Sequence, residues 1–173
     1  MPQVGLGTGR GNKDLENAHE MIKHAIVNCG YRLIDTAKIY DTEGIIAEVL
    51  QEIFQEGTLK REDLFITTKL WPTDKEDVEG ALRGSLARLK LDSVDLYLVH
   101  WMCPKIDWSN PSILNIAPIS NEQTWREMER MVELGLTKSI GVSNCGTQVL
   151  LDMMTYCKIK PAVNQFECHP SSP

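Results

Sequence analysis

The chain lacks an excess of basic residues, a long apolar run and paired cysteines, and each absence removes a class of function. Across 173 residues, Lys and Arg number 18 against 24 Asp and Glu, for a net charge of −6. Without a basic cluster there is no electrostatic footprint for nucleic acid. Apolar stretches such as Leu96-Tyr97-Leu98-Val99 fall far short of the roughly 18 residues that would cross a bilayer. Met1 is not followed by a charged-then-apolar targeting pattern, so a cytoplasmic protein with neither membrane nor nucleic-acid partner is expected. The five cysteines (Cys29, Cys103, Cys145, Cys157 and Cys168) are odd in number and contain no Cys-x-x-Cys pair. Free thiols are expected rather than a disulfide framework or a zinc site, and no metal is anticipated. Linkers and low-complexity segments are missing too, so residues 1–173 read as a single domain.

What is present is an alternation of short β-branched runs with longer helical patterns, the signature of an α/β fold with a parallel sheet. Strands are predicted at Val4 to Gly7, Arg32 to Thr36, Leu64 to Lys69, Val94 to His100, Lys138 to Ser143 and Ala162 to Glu167. Ile45, Ile46, Val49, Leu50 and Ile53 recur at helical spacing after Thr42, with Gly57 as a stop. Thr73 with Glu76, and Ser120 with Gln123, form capping-box patterns ahead of two further apolar stripes. Gly135 can end the second of these, and Thr147 is expected to cap a last helix. Trp101 to Ile119, with three prolines, reads as a long loop after the fourth strand.

Nucleotide-binding loops are absent in their usual form. The run Gly5-Leu6-Gly7-Thr8-Gly9-Arg10-Gly11 places Arg10 where the dinucleotide fingerprint needs its third glycine, and no P-loop pattern occurs. A glycine-rich strand end still lets a ligand approach the backbone closely.

The informative pattern is positional. Asp35, Lys69, His100, the Ser143-Asn144 pair and Gln165 fall within or at the C-terminal ends of five different predicted strands. In a parallel sheet or barrel these ends open on one face. Singly, each has a plain structural reading: a strand-end cap for Asp35, a snorkelling side chain for Lys69, a satisfied core histidine for His100. Jointly they describe a site.

These residues carry a resemblance. Gly30-Tyr31-Arg32-Leu33-Ile34-Asp35-Thr36-Ala37 with Tyr40 and Glu43 resembles the first signature of the aldo-keto reductase family, and Leu91-Asp92-Ser93-Val94-Asp95-Leu96-Tyr97-Leu98-Val99-His100-Trp101 the second. Gly141-Val142-Ser143-Asn144 and Asn164-Gln165-Phe166-Glu167-Cys168-His169-Pro170 are similar to two further family segments. The resemblance implies a (β/α)8 TIM barrel that binds a nicotinamide cofactor, NADPH by family default with NADH as an alternative, across its C-terminal mouth. It implies NAD(P)H-dependent reduction of small aldehydes and ketones by a tetrad of Asp35, Tyr40, Lys69 and His100. Tyr40 would be the proton donor, Lys69 would lower its pKa, Asp35 would hold Lys69 charged, and His100 would bond the carbonyl oxygen. Gly7, Thr8, Asp35, Ser143, Asn144 and Gln165 would contact the cofactor, and Trp71 and Trp101 would wall the substrate pocket. The other reading of the same pattern is a weakly active or inactive barrel serving as a nicotinamide-binding regulatory subunit.

Three residues depart from the family pattern: Gly9 stands where many members carry an aromatic, Cys145 where Phe is usual, and Ala47 where Gly is usual. Length is the larger departure. A barrel of this type takes about 250 residues, about 200 at the low end, whereas the 173 residues here carry six strand patterns. The chain is therefore expected to be truncated after the sixth strand, as an incomplete product or an incomplete record of a longer chain, with a monomer expected for the complete barrel.

Overall fold

Continuously apolar, β-branched segments pair well only when both faces are covered, and the sheet is built from such segments. The computed structural model describes residues 1–9, 15, 17–103 and 119–171. Six strands, β1 (Gly5–Gly7), β2 (Leu33–Asp35), β3 (Phe65–Leu70), β4 (Val94–Val99), β5 (Thr137–Ser143) and β6 (Asn164–Gln165), lie side by side in chain order. Every pairing is parallel. Between them run α1 (Ala18–Val27), α2 (Glu43–Gln55), α3 (Val78–Leu89), α4 (Asn121–Glu133) and α5 (Thr147–Met153). The result is six strands of a (β/α)8 arrangement, an open half-barrel.

The register decides which side chains share a face. Gly7 pairs with Asp35, Asp35 with Thr67 and Thr67 with Leu96. Lys69 pairs with Leu98, Leu98 with Gly141 and Ser143 with Gln165. Because side chains alternate with a period of two, all of these share one parity, that of the concave face. Gly5, Gly7, Leu33, Asp35, Thr67, Leu96 and Gln165 there line a cavity of about 470 Å³. The opposite parity packs against helices: Ile34, Ile66, Tyr97, Ile140 and Val142 join Ile22 and Ile26 of α1, Ile46 and Leu50 of α2, Leu82 and Leu86 of α3, and Trp125 and Met128 of α4 in one buried cluster.

Helix ends follow the sequence in part. Ser120 and Gln123 make the expected reciprocal capping box at α4, and Gly57 and Gly135 take the left-handed conformation just past α2 and α4, at φ 69° and 71°. Thr73 does not cap α3. A 3-10 turn occupies Pro72–Asp74 and Asp77 is the cap, its carboxylate accepting the Gly80 N–H at 2.8 Å. Gly80 permits this, since a Cβ there would collide with the Asp77 carboxylate. Thr147 likewise opens α5 as its first residue, behind Gly146 as N-cap, without a side-chain cap. The loop expected over 101–119 falls mostly at 104–118, outside the described residues.

Candidate active site

Four side chains converge at the C-terminal ends of the strands. Asp35 closes β2, Lys69 lies one residue from the end of β3, and His100 follows β4 directly. Tyr40 arrives from a 3-10 turn, Lys38–Tyr40, between β2 and α2. The Lys69 side chain is almost fully buried, and its three N–H bonds are all engaged: Asp35 Oδ1 at 2.5 Å, the Thr36 carbonyl at 3.1 Å and the Tyr40 hydroxyl at 3.4 Å. A buried ammonium needs such a set, because an unpaired one would shed its proton. The other Asp35 oxygen accepts from Gln165 Nε2 at 2.9 Å, joining β6 to β2 across the open side of the sheet.

His100 Nε2 lies 3.3 Å from the Tyr40 hydroxyl, and its Nδ1 is buried without a partner among the described residues. An unmet ring nitrogen acceptor costs less than an unmet N–H, which assigns the proton to Nε2, facing Tyr40. The Tyr40 oxygen then accepts from both Lys69 and His100, so its own hydrogen is left to point away from them, toward the open mouth. Trp71 stands edge-on to His100, ring centroids 5.0 Å apart.

The electrostatics differ from expectation in one respect. Lys69 was expected to pull the Tyr40 phenol below its ordinary value. Burial, with the Asp35 charge adding to it, instead pushes Tyr40 up to about 12. The Lys69 cation does not offset this, because it is paired with Asp35 and the phenol meets an ion pair rather than a bare cation. Burial also lowers Lys69 below the ordinary lysine value, although Asp35 opposes it. His100 falls to about 4 through burial and the Lys69 charge, and is neutral near pH 7.

The remaining predicted residues divide. Ser143 and Asn144 sit at the end of β5, and Asn144 Nδ2 donates to Ser143 Oγ at 3.0 Å and to the His100 carbonyl at 3.1 Å. Asn144 adopts φ 51°, a left-handed conformation that Asn tolerates better than most residues. Gly7 faces space with no atom near a hypothetical Cβ, so a ligand can reach the backbone there. Thr8 is placed differently: its hydroxyl is turned inward and donates to the Asp35 carbonyl at 3.0 Å. Trp101 is 40% exposed beside the segment outside the described residues. Cys145 is clamped by Asn164, which accepts its N–H at 3.3 Å and donates to its carbonyl at 2.9 Å. Sequence reasoning missed Asn164 and the buried hydroxyls of Thr36 and Thr42, since an isolated polar residue in an apolar run carries no sign of its partner. No cluster of metal-ligating residues occurs among the described residues.

A parallel sheet carrying a buried Lys-Asp pair, a tyrosine and a histidine at its C-terminal mouth has recognisable relatives. The model of the aldo/keto reductase family matches residues 3–173. Aldose reductase C of Dictyostelium discoideum is 44% identical over 98% of this chain and 56% of its own length. The NADP-dependent D-sorbitol-6-phosphate dehydrogenase of Malus domestica is 44% identical over 98% and 57%. A crystal structure of an aldo-keto reductase of the silkworm, Bombyx mori, superposes with a TM-score of 0.88 at 41% identity, covering 97% of this chain and 52% of that one. A structure of the aldo-keto reductase of the same designation complexed with NADPH matches equally well, with a TM-score of 0.88. The chain thus spans about half the length of the relatives it matches. With strand order, parity of the site residues and sequence identity in agreement, the chain belongs to the aldo/keto reductase family.

Proposed function

We propose that the protein carrying this chain reduces small aldehydes and ketones to alcohols with NADPH, with Tyr40 as the proton donor. The observation that supports this most directly is the Tyr40 hydroxyl, which lies 3.4 Å from Lys69 Nζ and 3.3 Å from His100 Nε2; with both as donors, its own hydrogen is left for a substrate. The residues present fit the nicotinamide end of such a cofactor. A hydroxyl (Ser143) and two amides (Asn144, Gln165) at adjacent strand ends match the donors and acceptor of a carboxamide, and Gly7 leaves the neighbouring backbone bare. NADPH when bound supplies the hydride.

The chain's own residues then do the rest. The carbonyl oxygen sits against the Tyr40 hydroxyl and takes over the Nε2–H of His100 from the Tyr40 oxygen, which orients it and supports the charge that develops. Tyr40 passes its hydroxyl proton to that oxygen as the C–H bond forms, giving the alcohol and leaving a phenolate. A Tyr40 held near 12 remains a poor acid toward water but still protonates an alkoxide, which is far more basic. Lys69, already fully hydrogen-bonded, holds the resulting phenolate until solvent reprotonates it. The neutral state of His100 matters, because an imidazolium would place a second cation beside Lys69. Tyr40→Phe removes the donor and is expected to lower kcat for aldehyde reduction by about 10²-fold or more while NADPH binding persists. Retention of activity within a few-fold would remove Tyr40 from the role.

A further inference from the structure

Three buried threonine hydroxyls meet beneath the tetrad. Thr8, Thr36 and Thr42 are 1%, 0% and 1% exposed. Thr42 Oγ1 lies 2.9 Å from Thr8 Oγ1 and 3.0 Å from Thr36 Oγ1, and Thr8 Oγ1 donates to the Asp35 carbonyl at 3.0 Å. A hydroxyl has one hydrogen to give, so the directions are determined. Thr8 gives its hydrogen to Asp35, hence the Thr42–Thr8 bond is donated by Thr42, and the Thr36–Thr42 bond by Thr36. The chain runs one way, from Thr36 through Thr42 and Thr8 to the backbone of Asp35.

Thr42 is the central member, and its placement is unusual for its residue type. It is the N-cap of α2, where a threonine ordinarily accepts a backbone N–H of the first turn. Here it makes no cap bond and has α-region rather than extended dihedrals, φ −102° and ψ −9°. The helix forgoes its cap, and the hydroxyl ties the end of β1 and the end of β2 to the residue two positions after Tyr40. The turn it anchors is short and bears a strained residue, Asp41 at φ 58°.

We propose that Thr42 is a positioning residue for Tyr40: its hydroxyl locks the Lys38–Tyr40 turn onto the strand ends that carry Asp35, holding the phenol at hydrogen-bonding distance from Lys69 and His100. This deepens the reductase reading and rests on it for its kinetic test. Thr42→Val keeps the shape and removes the hydroxyl, leaving Thr36 without its acceptor. Thr42→Ser keeps the hydroxyl and removes a methyl.

The experiment uses the full-length protein with NADPH and a simple aldehyde. Thr42→Val is expected to lower kcat about tenfold or more, with the aldehyde KM and the NADPH Kd within about twofold, because a misplaced donor affects the reacting geometry rather than binding. Thr42→Ser is expected to restore kcat to within about threefold of wild type. A second measurement needs no turnover. The tyrosinate absorbance assigned to Tyr40 by difference against Tyr40→Phe should titrate near 12 in wild type and shift down toward the ordinary value of 10 in Thr42→Val, as the phenol leaves its buried seat. Wild-type protein that reduces no carbonyl would sink the reductase reading, while the titration would still decide the role of Thr42. Unchanged kcat together with an unchanged titration in Thr42→Val would overturn the proposal. So would Thr42→Ser being as impaired as Thr42→Val, since the hydroxyl would then not be the relevant group. Should Thr42→Val fail to fold, Thr36→Val removes only the head of the chain and is read by the same two measurements. A fall in both supports the proposal, and no movement in either overturns it.

Discussion

At the scale of single residues, burial and pairing make Lys69 a fixed charge. Lys69 is 2% exposed, and burial alone would push it toward neutrality; the Asp35 carboxylate opposes that. Asp35→Asn keeps the shape and most hydrogen bonds but takes away the charge. The lysine then meets burial unopposed and loses its proton at lower pH. The expected result is a kcat reduced by about 10²-fold near neutral pH, falling further as pH rises through neutrality, whereas wild type stays flat there because Tyr40 titrates only near 12. A pH profile of kcat on both proteins checks this, and a flat Asp35→Asn profile would assign the charge of Lys69 to another partner. The residue types were legible in the sequence, since Asp35, Lys69 and His100 all fall at predicted strand ends. The rise in the phenol's pKa was not, because it comes first from burial in the folded sheet, with the Asp35 charge adding to it.

At the scale of elements, the parity of short parallel strands selects the face that carries the candidate site. One parity of β3 and β4 puts Ile66 and Tyr97 under helices, and the other puts Lys69 and Leu98 on the concave side. Gly141 of β5 belongs to the concave row, and a Cβ there would stand 2.8 Å from both Leu98 Cδ2 and the Val163 carbonyl oxygen. The leucine can turn, but the carbonyl belongs to the backbone that accepts the Val142 N–H and cannot move freely. Gly141→Ala is therefore expected to destabilise by about 1–3 kcal/mol. Gly44 in α2 has no atom within 4 Å of a Cβ, so Gly44→Ala should stabilise by about 0.5–1 kcal/mol through helix propensity alone. Urea unfolding of the two variants measures the contrast, and equal midpoints would refute the crowding at Gly141. The caps divide in a similar way. Ser120 was readable because its partner Gln123 lies three residues on, while Asp77 displaced Thr73 because Pro72 begins a separate turn and Gly80 leaves room for the carboxylate.

For the molecule as a whole, buried ionisable groups make acid the weak side of its stability. His100 binds a proton near 6.5 when unfolded but only near 4 in the fold, so stability falls as pH drops from about 6.5 to about 4. Asp95 acts at lower pH. Burial would raise its carboxyl, but bonds from Lys138 at 2.7 Å, the Ile66 N–H at 2.9 Å and Arg61 at 2.7 Å outweigh it and hold it below the ordinary value. Its contribution is present above that ordinary value and is lost as pH falls through the depressed one. Thermal midpoints are thus expected to decline between pH 6.5 and 4 and again below, and His100→Gln should flatten the upper portion only. A wild-type midpoint independent of pH between those values would contradict the burial of a neutral His100.

The sequence alone determined the class of the fold and which chemistry-bearing residues stand at its strand ends, because both are written in local patterns. Strand and helix periodicities set the α/β alternation, and chemistry-bearing residues recur at strand ends about one βα unit apart. Only the tertiary structure decided which donors and acceptors pair. Gln165 reaches Asp35 across the open side of the sheet, and Thr8 turns its hydroxyl to the Asp35 carbonyl rather than to the mouth. Thr42 gives up a helix cap for two hydroxyls, that of Thr36 six residues back and that of Thr8 on another strand end. Apart from the Thr36–Thr42 bond, which spans six residues, these bonds join positions 27 to 130 residues apart. No local pattern encodes the long-range ones, since a hydroxyl or carboxylate finds such a partner only once the sheet has brought the two side by side.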